Sequence, residues 1–118
     1  MSAAKKVLVI DECPDILTLF QIWLTDNGAF MYGASSANQA LEICKEQPLD
    51  TILADVDFLG QSGLQLLASI KTLRPDARIF LMTAGLSNYT TDDLVNLGVV
   101  RCFSKPIEFA ELAAILAS

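Results

Sequence analysis

The sequence predicts an α/β domain in which five parallel strands alternate with five helices. Short apolar runs, such as residues 7–10 and 79–82, alternate along the chain with longer segments of helical period. The runs are apolar throughout, which is typical of strands covered on both faces of a parallel sheet. We therefore predict one (βα)5 domain with helices on both faces of the sheet.

Turn and cap signals divide the chain into these elements. The first helix opens with Pro14, whose missing N–H costs no hydrogen bond in the first turn, and it closes at Asn27 and Gly28. Ser36 and Gln39 form a candidate capping box for the second helix. The predicted strands are residues 5–10, 30–34, 50–55, 78–83 and 99–103. The predicted helices begin near residues 14, 36, 64, 87 and 107.

Composition excludes several classes of function. A chain of 118 residues, 53% of them hydrophobic, fits one globular domain. The net charge of −6 makes direct binding to a nucleic-acid backbone unfavourable. No apolar stretch approaches the roughly 18 residues of a membrane span, and the apolar run at residues 7–10 is too short for a signal peptide. We expect a cytoplasmic domain that does not contact the membrane.

The histidine and cysteine content is also informative. The chain contains no histidine, which excludes a phosphohistidine carrier, histidine-based nucleophile activation and most zinc sites. The three cysteines, Cys13, Cys44 and Cys102, are odd in number and widely spaced. This pattern predicts reduced thiols rather than a disulfide framework or a zinc site. Cys44 is expected in the core.

Polar residues stand at the ends of four predicted strands. They are Asp11 and Glu12 after the first strand, Asp55 at the end of the third, Thr83 at the end of the fourth, and Lys105 and Pro106 after the fifth. Ligands of open α/β sheets bind outside the carboxyl ends of the strands. Three carboxylates, a hydroxyl and an ammonium at this edge suit binding a divalent cation and moving a phosphoryl group onto a carboxylate.

The segments around these positions resemble the receiver domains of response regulators in two-component signalling. The matching segments are residues 9–17, 50–63, 81–84 and 104–106. Each is weak alone, but the spacings of 28 residues from Asp55 to Thr83 and 22 from Thr83 to Lys105 make the combination specific. The resemblance covers essentially all of residues 1–118. It implies one receiver domain with a doubly wound, flavodoxin-like five-stranded sheet of order 2-1-3-4-5.

The resemblance implies a role for each polar residue. Asp55 would be the phosphoacceptor that forms an acyl phosphate. Thr83 would donate its hydroxyl to the phosphoryl group, and Lys105 would pair with another of its oxygens. Lys105 would also be joined to Pro106 by a cis peptide bond. The implied signalling partners are a histidine kinase or histidine phosphotransfer protein as donor and a downstream output protein or domain.

The resemblance also implies Mg²⁺ as cofactor, because a divalent cation offsets the repulsion between neighbouring carboxylates. Glu12 and Asp55 would be side-chain ligands, with Asp11 acting through water. Asp57, two residues after the acceptor, would supply its backbone carbonyl. Glu12 departs from the aspartate usual at its position, and its extra methylene pushes the carboxylate further into the site.

A second departure concerns the switch. Receiver domains commonly carry an aromatic residue three positions before the lysine, but that position here is Cys102. Because side chains alternate along a strand, Phe103 is expected on the opposite face and cannot substitute. We expect Thr83 and Ala84 to move on switching, and the fourth helix and its flanking loops to carry the conformational change, with Cys102 at the altered switch position.

Two further alternatives concern the surface and the length of the chain. Residues 99–101 are more apolar than usual in the family. This predicts a surface for partner docking or weak homodimerisation at the fourth helix and fifth strand. The alternative is that Val99 simply packs in the core. The chain is either a single-domain regulator or a receiver cut from a longer protein.

Other functions remain open from the sequence. The leading prediction is a signalling domain and not an enzyme. A degenerate receiver that only docks partners is supported by Glu12 and Cys102 but opposed by the presence of Asp55, Thr83 and Lys105. A phosphatase of the haloacid-dehalogenase type would use Asp57 as acid or base, but the acidic pair expected after Lys105 is missing. A flavodoxin-like FMN binder would share the architecture, yet no Ser/Thr/Gly phosphate loop follows the first strand.

Overall fold

The structure is a computed structural model that describes residues 4–59, 63–84 and 90–117. The predicted start of the fourth helix at residue 87 lies outside this part of the chain. The strands are β1 (Lys6–Ile10), β2 (Phe30–Ala34), β3 (Thr51–Asp55), β4 (Arg78–Thr83) and β5 (Val99–Ser104). The helices are α1 (Pro14–Asp26), α2 (Ala37–Glu46), α3 (Val56–Leu59), α4 (Gly63–Leu73), α5 (Thr91–Asn96) and α6 (Phe109–Ala117).

The five strands form one parallel sheet of order β2-β1-β3-β4-β5, as predicted. The central strand, β3, lies between β1 and β4 and is buried along its whole length. Because all strands run in the same direction, the residues that follow β1, β3, β4 and β5 lie at one edge of the sheet. This edge carries the polar residues singled out in the sequence.

The two faces of the sheet pack against separate hydrophobic layers. One layer is built on Leu8, Ile52 and Leu81 and is covered by α2 and α4. The opposite layer is built on Val9, Leu53 and Phe80 and is covered by α1 and α6. Alternate residues of β1, β3 and β4 therefore enter opposite layers, which explains why these central strands are largely apolar.

The residues that begin and end the first two helices act largely as predicted. Pro14 occupies the first turn of α1, and the chain leaves α1 through Gly28 at a φ of +81°, a conformation that favours glycine. Ser36 caps α2 by accepting from the Gln39 amide at 3.2 Å. The Gln39 side chain, however, accepts from Ser35 rather than completing the box with Ser36.

The structure differs from the sequence predictions in two details. The short helix α3 follows directly after Asp55 and was not predicted, because four residues are too few for a helical period to show. On α1, the apolar pattern of residues 16–24 predicts one apolar face that includes Ile16 and Ile22, yet these two residues are 37% and 56% exposed. None of the helices in the described residues combines the length and apolarity that crossing a membrane requires.

Candidate functional site

Asp55 is the central carboxylate of the polar edge. It ends β3, and only 4% of its surface is exposed. Its Oδ1 accepts a hydrogen bond of 2.9 Å from the backbone amide of Asp57 at the start of α3. The end of β3 therefore fixes the position of this carboxylate, and α3 supplies a hydrogen-bond donor to it.

Lys105 pairs directly with Asp55. Its backbone amide donates to the carbonyl of Thr83 at 2.8 Å, which extends the pairing of β4 and β5 by one residue. The Lys105–Pro106 peptide bond is cis, as the resemblance implied. Its Nζ lies 2.6 Å from Oδ2 of Asp55. Burial disfavours the charged amine, but this hydrogen bond and the charges of Asp55, Asp11 and Asp57 raise the pKa of Lys105 above its ordinary value.

Asp11 lies on the other side of Asp55, because β1 and β3 are neighbours in the sheet. It is 3% exposed, and its Oδ1 accepts from the Cys13 amide at 3.0 Å. Burial, and secondarily the charge of Asp55, raises the pKa of Asp11 despite that hydrogen bond and the charge of Lys105. Glu12 is exposed and lines the same cavity as Asp11 and Asp55. The edge thus concentrates carboxylates that repel one another.

Thr83 and Ala84 both contact Asp57. The Thr83 hydroxyl donates to Oδ1 of Asp57 at 3.0 Å, and the Ala84 amide donates to Oδ2 at 2.7 Å. Lys105 Nζ lies 3.9 Å from the same Oδ2. The family resemblance implied that Asp57 contributes its backbone carbonyl to the site, and said nothing of its side chain. Its side-chain contacts depend on how α3 turns after Asp55, which no pattern in the sequence reports.

The donor set fits a magnesium ion. Among the described residues, no group of three or more acidic or cysteine side chains is placed so that it could already hold a metal. Mg²⁺ does not need such a cage, because it takes one or two carboxylates together with phosphate oxygens and waters. Asp11 and Asp55 are hard oxygen donors. Burial, and secondarily the charge of Asp55, raises the pKa of Asp11, and a bound cation would favour its charged form. Glu12 is within the same cavity.

The β5 residues have the alternation predicted for them. Phe103 is buried and stacks on Phe80 with ring centroids 6.2 Å apart, and the Arg101 guanidinium lies 4.8 Å from its ring centroid. Cys102 is exposed on the opposite face. Partial burial of its thiol and then the charge of Asp57 raise the Cys102 pKa, so this side chain lies within electrostatic reach of the site. Phe103 is held in the core and cannot move into the position of Cys102.

A cavity of about 490 Å³ opens beside the carboxylates. Its polar end is formed by Asp11, Glu12, Asp55 and Lys105, and its remaining wall is largely apolar. The apolar wall contains Ile16, Leu19, Phe20, Met82, Pro106, Ile107, Phe109 and Leu112. The sequence did not predict this wall, because its members come from α1, β4, α6 and the segment between β5 and α6, and are adjacent only in the folded chain.

The comparisons with known proteins identify the family. The response regulator receiver domain family matches residues 7–117, and this chain belongs to it. Receiver domains are the signalling domains of two-component response regulators; they interact with histidine kinases and output domains and generally bind Mg²⁺ at the phosphorylation site. This match leaves the haloacid-dehalogenase alternative without support.

Curated relatives agree with this family. The transcriptional regulatory protein ZraR of Escherichia coli strain K12 is 34% identical over 110 residues, which are 93% of this chain and 25% of ZraR. Sporulation initiation phosphotransferase F of Bacillus subtilis is 26% identical over 92% of this chain and 87% of its own length. The chain thus spans about a quarter of ZraR but most of the shorter phosphotransferase.

Solved structures agree with the fold. A response regulator from Burkholderia pseudomallei is 28% identical, with a TM-score of 0.84 over 95% of this chain and 66% of its own. That structure carries a phosphorylated aspartic acid, a calcium ion and citrate. A CheY-like receiver from Methanospirillum hungatei has a TM-score of 0.87 at 22% identity, over 97% of this chain and 91% of its own, which supports the fold alone.

Proposed function

We propose that this chain is a phosphoacceptor domain and that Asp55 is the residue phosphorylated. The observation that carries the proposal is the pair of Asp55 and Lys105 at the carboxyl edge of the sheet, with Nζ 2.6 Å from Oδ2. A nearly buried carboxylate beside a cation is positioned both to attack phosphorus and to have the resulting charge stabilised. Residues 1–118 would form this one domain.

The transfer can be written with this chain's own residues. An oxygen of Asp55 forms a bond to the phosphorus of a phosphohistidine on a kinase or phosphotransfer protein. The P–N bond breaks, and its electron pair stays on the imidazole nitrogen, which takes a proton. Lys105 then pairs with a phosphoryl oxygen as a compact charge, and Thr83 donates its hydroxyl to another. Positioning and charge stabilisation are the main contributions that such a transfer needs from the protein.

Mg²⁺, held by Asp55 and Glu12 with Asp11 acting through water and the Asp57 backbone carbonyl, would supply positive charge to the phosphoryl oxygens when bound. These side chains would otherwise leave several negative charges at one small site. The ion would also offset the burial and the neighbouring Asp55 charge that together raise the pKa of Asp11. No other cofactor is proposed.

The face formed by α5, which lies in the segment predicted as the fourth helix, and β5 would transmit the signal to a partner. Val95 and Val100 are 70% and 48% exposed there, whereas Val99 is half-buried and packs against the core. Exposed apolar side chains on one face favour partner docking, with an output protein or domain as the partner and a weak homodimer as an alternative occupant. Thr83, which pairs with Ser104 of β5, and Ala84 would carry the change. Cys102 would occupy the position where relatives have an aromatic ring.

The test is intact mass after incubation with acetyl phosphate, with and without Mg²⁺. Wild type should gain a single phosphoryl group in a Mg²⁺-dependent manner, and Asp55→Asn should gain none. Asp50→Asn is a matched control, because Asp50 lies at the opposite end of β3 and pairs with the Lys6 amide. Absence of an adduct on wild type, together with no Mg²⁺ binding in a parallel titration, would leave a receiver that only docks partners.

A further inference from the structure

The side chain of Asp57 already holds the hydrogen-bond donors that face the phosphoacceptor. One of its oxygens accepts from the Thr83 hydroxyl at 3.0 Å and the other from the Ala84 amide at 2.7 Å. The second oxygen also lies 3.9 Å from Lys105 Nζ, whose nearer partner is Asp55. A hydroxyl, an amide and an ammonium thus converge on an anion that the chain itself supplies.

We propose that the Asp57 carboxylate is an internal stand-in for the phosphoryl group, which has to displace it from Thr83 and Ala84 when Asp55 is phosphorylated. A carboxylate and a phosphoryl group both present neighbouring anionic oxygens, so the same donors serve either one. This inference rests on the proposed function and adds to it a residue that governs how readily the site accepts its phosphoryl group.

The position of Asp57 is not the one expected of an ordinary helix-end acid. Only 28% of its side chain is exposed. Lys105 Nζ lies 2.6 Å from Asp55 and 3.9 Å from Asp57, so the two carboxylates are neighbours, which has a cost in repulsion. An acid in the first turn of α3 could avoid that cost by pointing into water. The contacts with Thr83, Ala84 and Lys105 offset the repulsion and retain the side chain at the site.

The same contacts set a barrier to phosphorylation. When acetyl phosphate reacts, an oxygen of Asp55 bonds to phosphorus, the bond from phosphorus to the acetate oxygen breaks, and acetate leaves with the electron pair. The new phosphoryl oxygens need the donors of Thr83 and Ala84. Two charge-assisted hydrogen bonds to Asp57 must therefore be broken before their replacements form, and each is worth more than a neutral one.

The test uses two substitutions of Asp57 and a matched control. Asp57→Asn keeps the shape of the side chain but replaces one accepting oxygen with a donor, and Asp57→Ala removes both oxygens. We expect the initial rate of adduct formation from acetyl phosphate to rise at least about tenfold in Asp57→Asn, which corresponds to the lower end of the range for one charge-assisted hydrogen bond. Asp92→Asn removes an exposed acid from the first turn of α5 and should leave the rate unchanged.

A second readout does not require phosphorylation. The amide proton of Ala84 donates at 2.7 Å to a carboxylate, so its nuclear magnetic resonance should lie far downfield in wild type without any donor present. Both Asp57 variants should move this resonance upfield, whereas Asp92→Asn should not. An Ala84 resonance that is the same in wild type and both variants would overturn the inference.

The two readouts separate failure of this inference from failure of the proposed function. If wild type is phosphorylated and Asp57→Asn is phosphorylated at the same rate or more slowly, the stand-in role is refuted while Asp55 remains the acceptor. If no protein gains an adduct, the phosphoacceptor role fails and this inference fails with it. An upfield shift of Ala84 combined with faster adduct formation supports both.

Discussion

Lys105 and Asp55 are fifty residues apart in the sequence, and their side chains meet at 2.6 Å between Nζ and Oδ2. The pair forms because β3 and β5 flank β4 and end at the same edge of the sheet. The carboxylate is nearly buried, and 31% of the lysine side chain is exposed. The Lys105 ammonium, together with the Asp57 amide, therefore compensates the charge of Asp55 more than water does.

Removing the ammonium should destabilise the domain. We expect Lys105→Met to lower the free energy of unfolding by about 1–2 kcal/mol, below the roughly 3–5 kcal/mol of a fully buried pair because Lys105 is partly hydrated. Urea unfolding measures the effect. Lys45→Met, an exposed lysine at the end of α2, is the control.

A second substitution identifies the cause of that loss. Asp55→Asn in the Lys105→Met background removes the carboxylate that has lost its ammonium, and we expect it to recover most of the lost stability. If the double variant is as unstable as Lys105→Met alone, the loss comes from packing of the lysine stem and not from the stranded charge of Asp55.

Shortening Glu12 should strengthen magnesium binding. Glu12 is exposed and has one more rotatable bond than aspartate, so holding it against an ion costs more side-chain entropy. We expect Glu12→Asp to bind Mg²⁺ severalfold more tightly than wild type, and Glu12→Gln to bind it more weakly. Isothermal titration calorimetry checks both, and equal affinity in all three proteins would show that Glu12 is not a ligand.

Much of the fold and the candidate site could be predicted because both depend on strand ends. Asp55 and Thr83 were predicted from their places at the ends of apolar runs, and a parallel sheet necessarily brings such residues together. The contact between the side chains of Asp57 and Thr83 could not be predicted, because it depends on the path of the unpredicted helix α3. Ile22 on α1 is a second example: the apolar pattern of a helix does not show which of its apolar side chains pack against the sheet, and Ile22 is exposed.

The pH dependence of stability should contain a contribution from Cys44. Burial raises the pKa of this thiol from 9.0 to about 11. Above pH 9 the unfolded chain loses the Cys44 proton while the folded chain keeps it, so unfolding becomes more favourable as pH rises to about 11. The full difference is at most about 2–3 kcal/mol.

A comparison of wild type with Cys44→Ala isolates this contribution. Unfolding by urea at intervals from pH 8 to 11 should show stability falling more steeply in wild type, whatever the offset caused by the smaller side chain. Other groups that titrate in this range are common to both proteins and cancel in the difference. Parallel curves would contradict the prediction.

The reactivity of Cys102 should report the charge of Asp57. Cys102 is the exposed cysteine, and partial burial of its thiol, followed by the Asp57 charge, raises its pKa. Because the thiolate is the form that reacts, we expect iodoacetamide at pH 8 to alkylate Cys102 faster in Asp57→Asn than in wild type, with Asp92→Asn unchanged. Peptide mass mapping distinguishes Cys102 from Cys13 and Cys44.

The pH profile of the Cys102 reaction separates charge from access. Neutralising Asp57 lowers the thiol pKa, so the profile should move to lower pH and reach the same plateau once every thiol is ionised. A more open site would instead raise the plateau without moving the midpoint. A higher plateau with an unmoved midpoint in Asp57→Asn would therefore mean that the Asp57 side chain restricts access to Cys102 sterically. It would also mean that the Asp57 charge does not shift the Cys102 pKa, because its contacts with Thr83, Ala84 and Lys105 offset that charge.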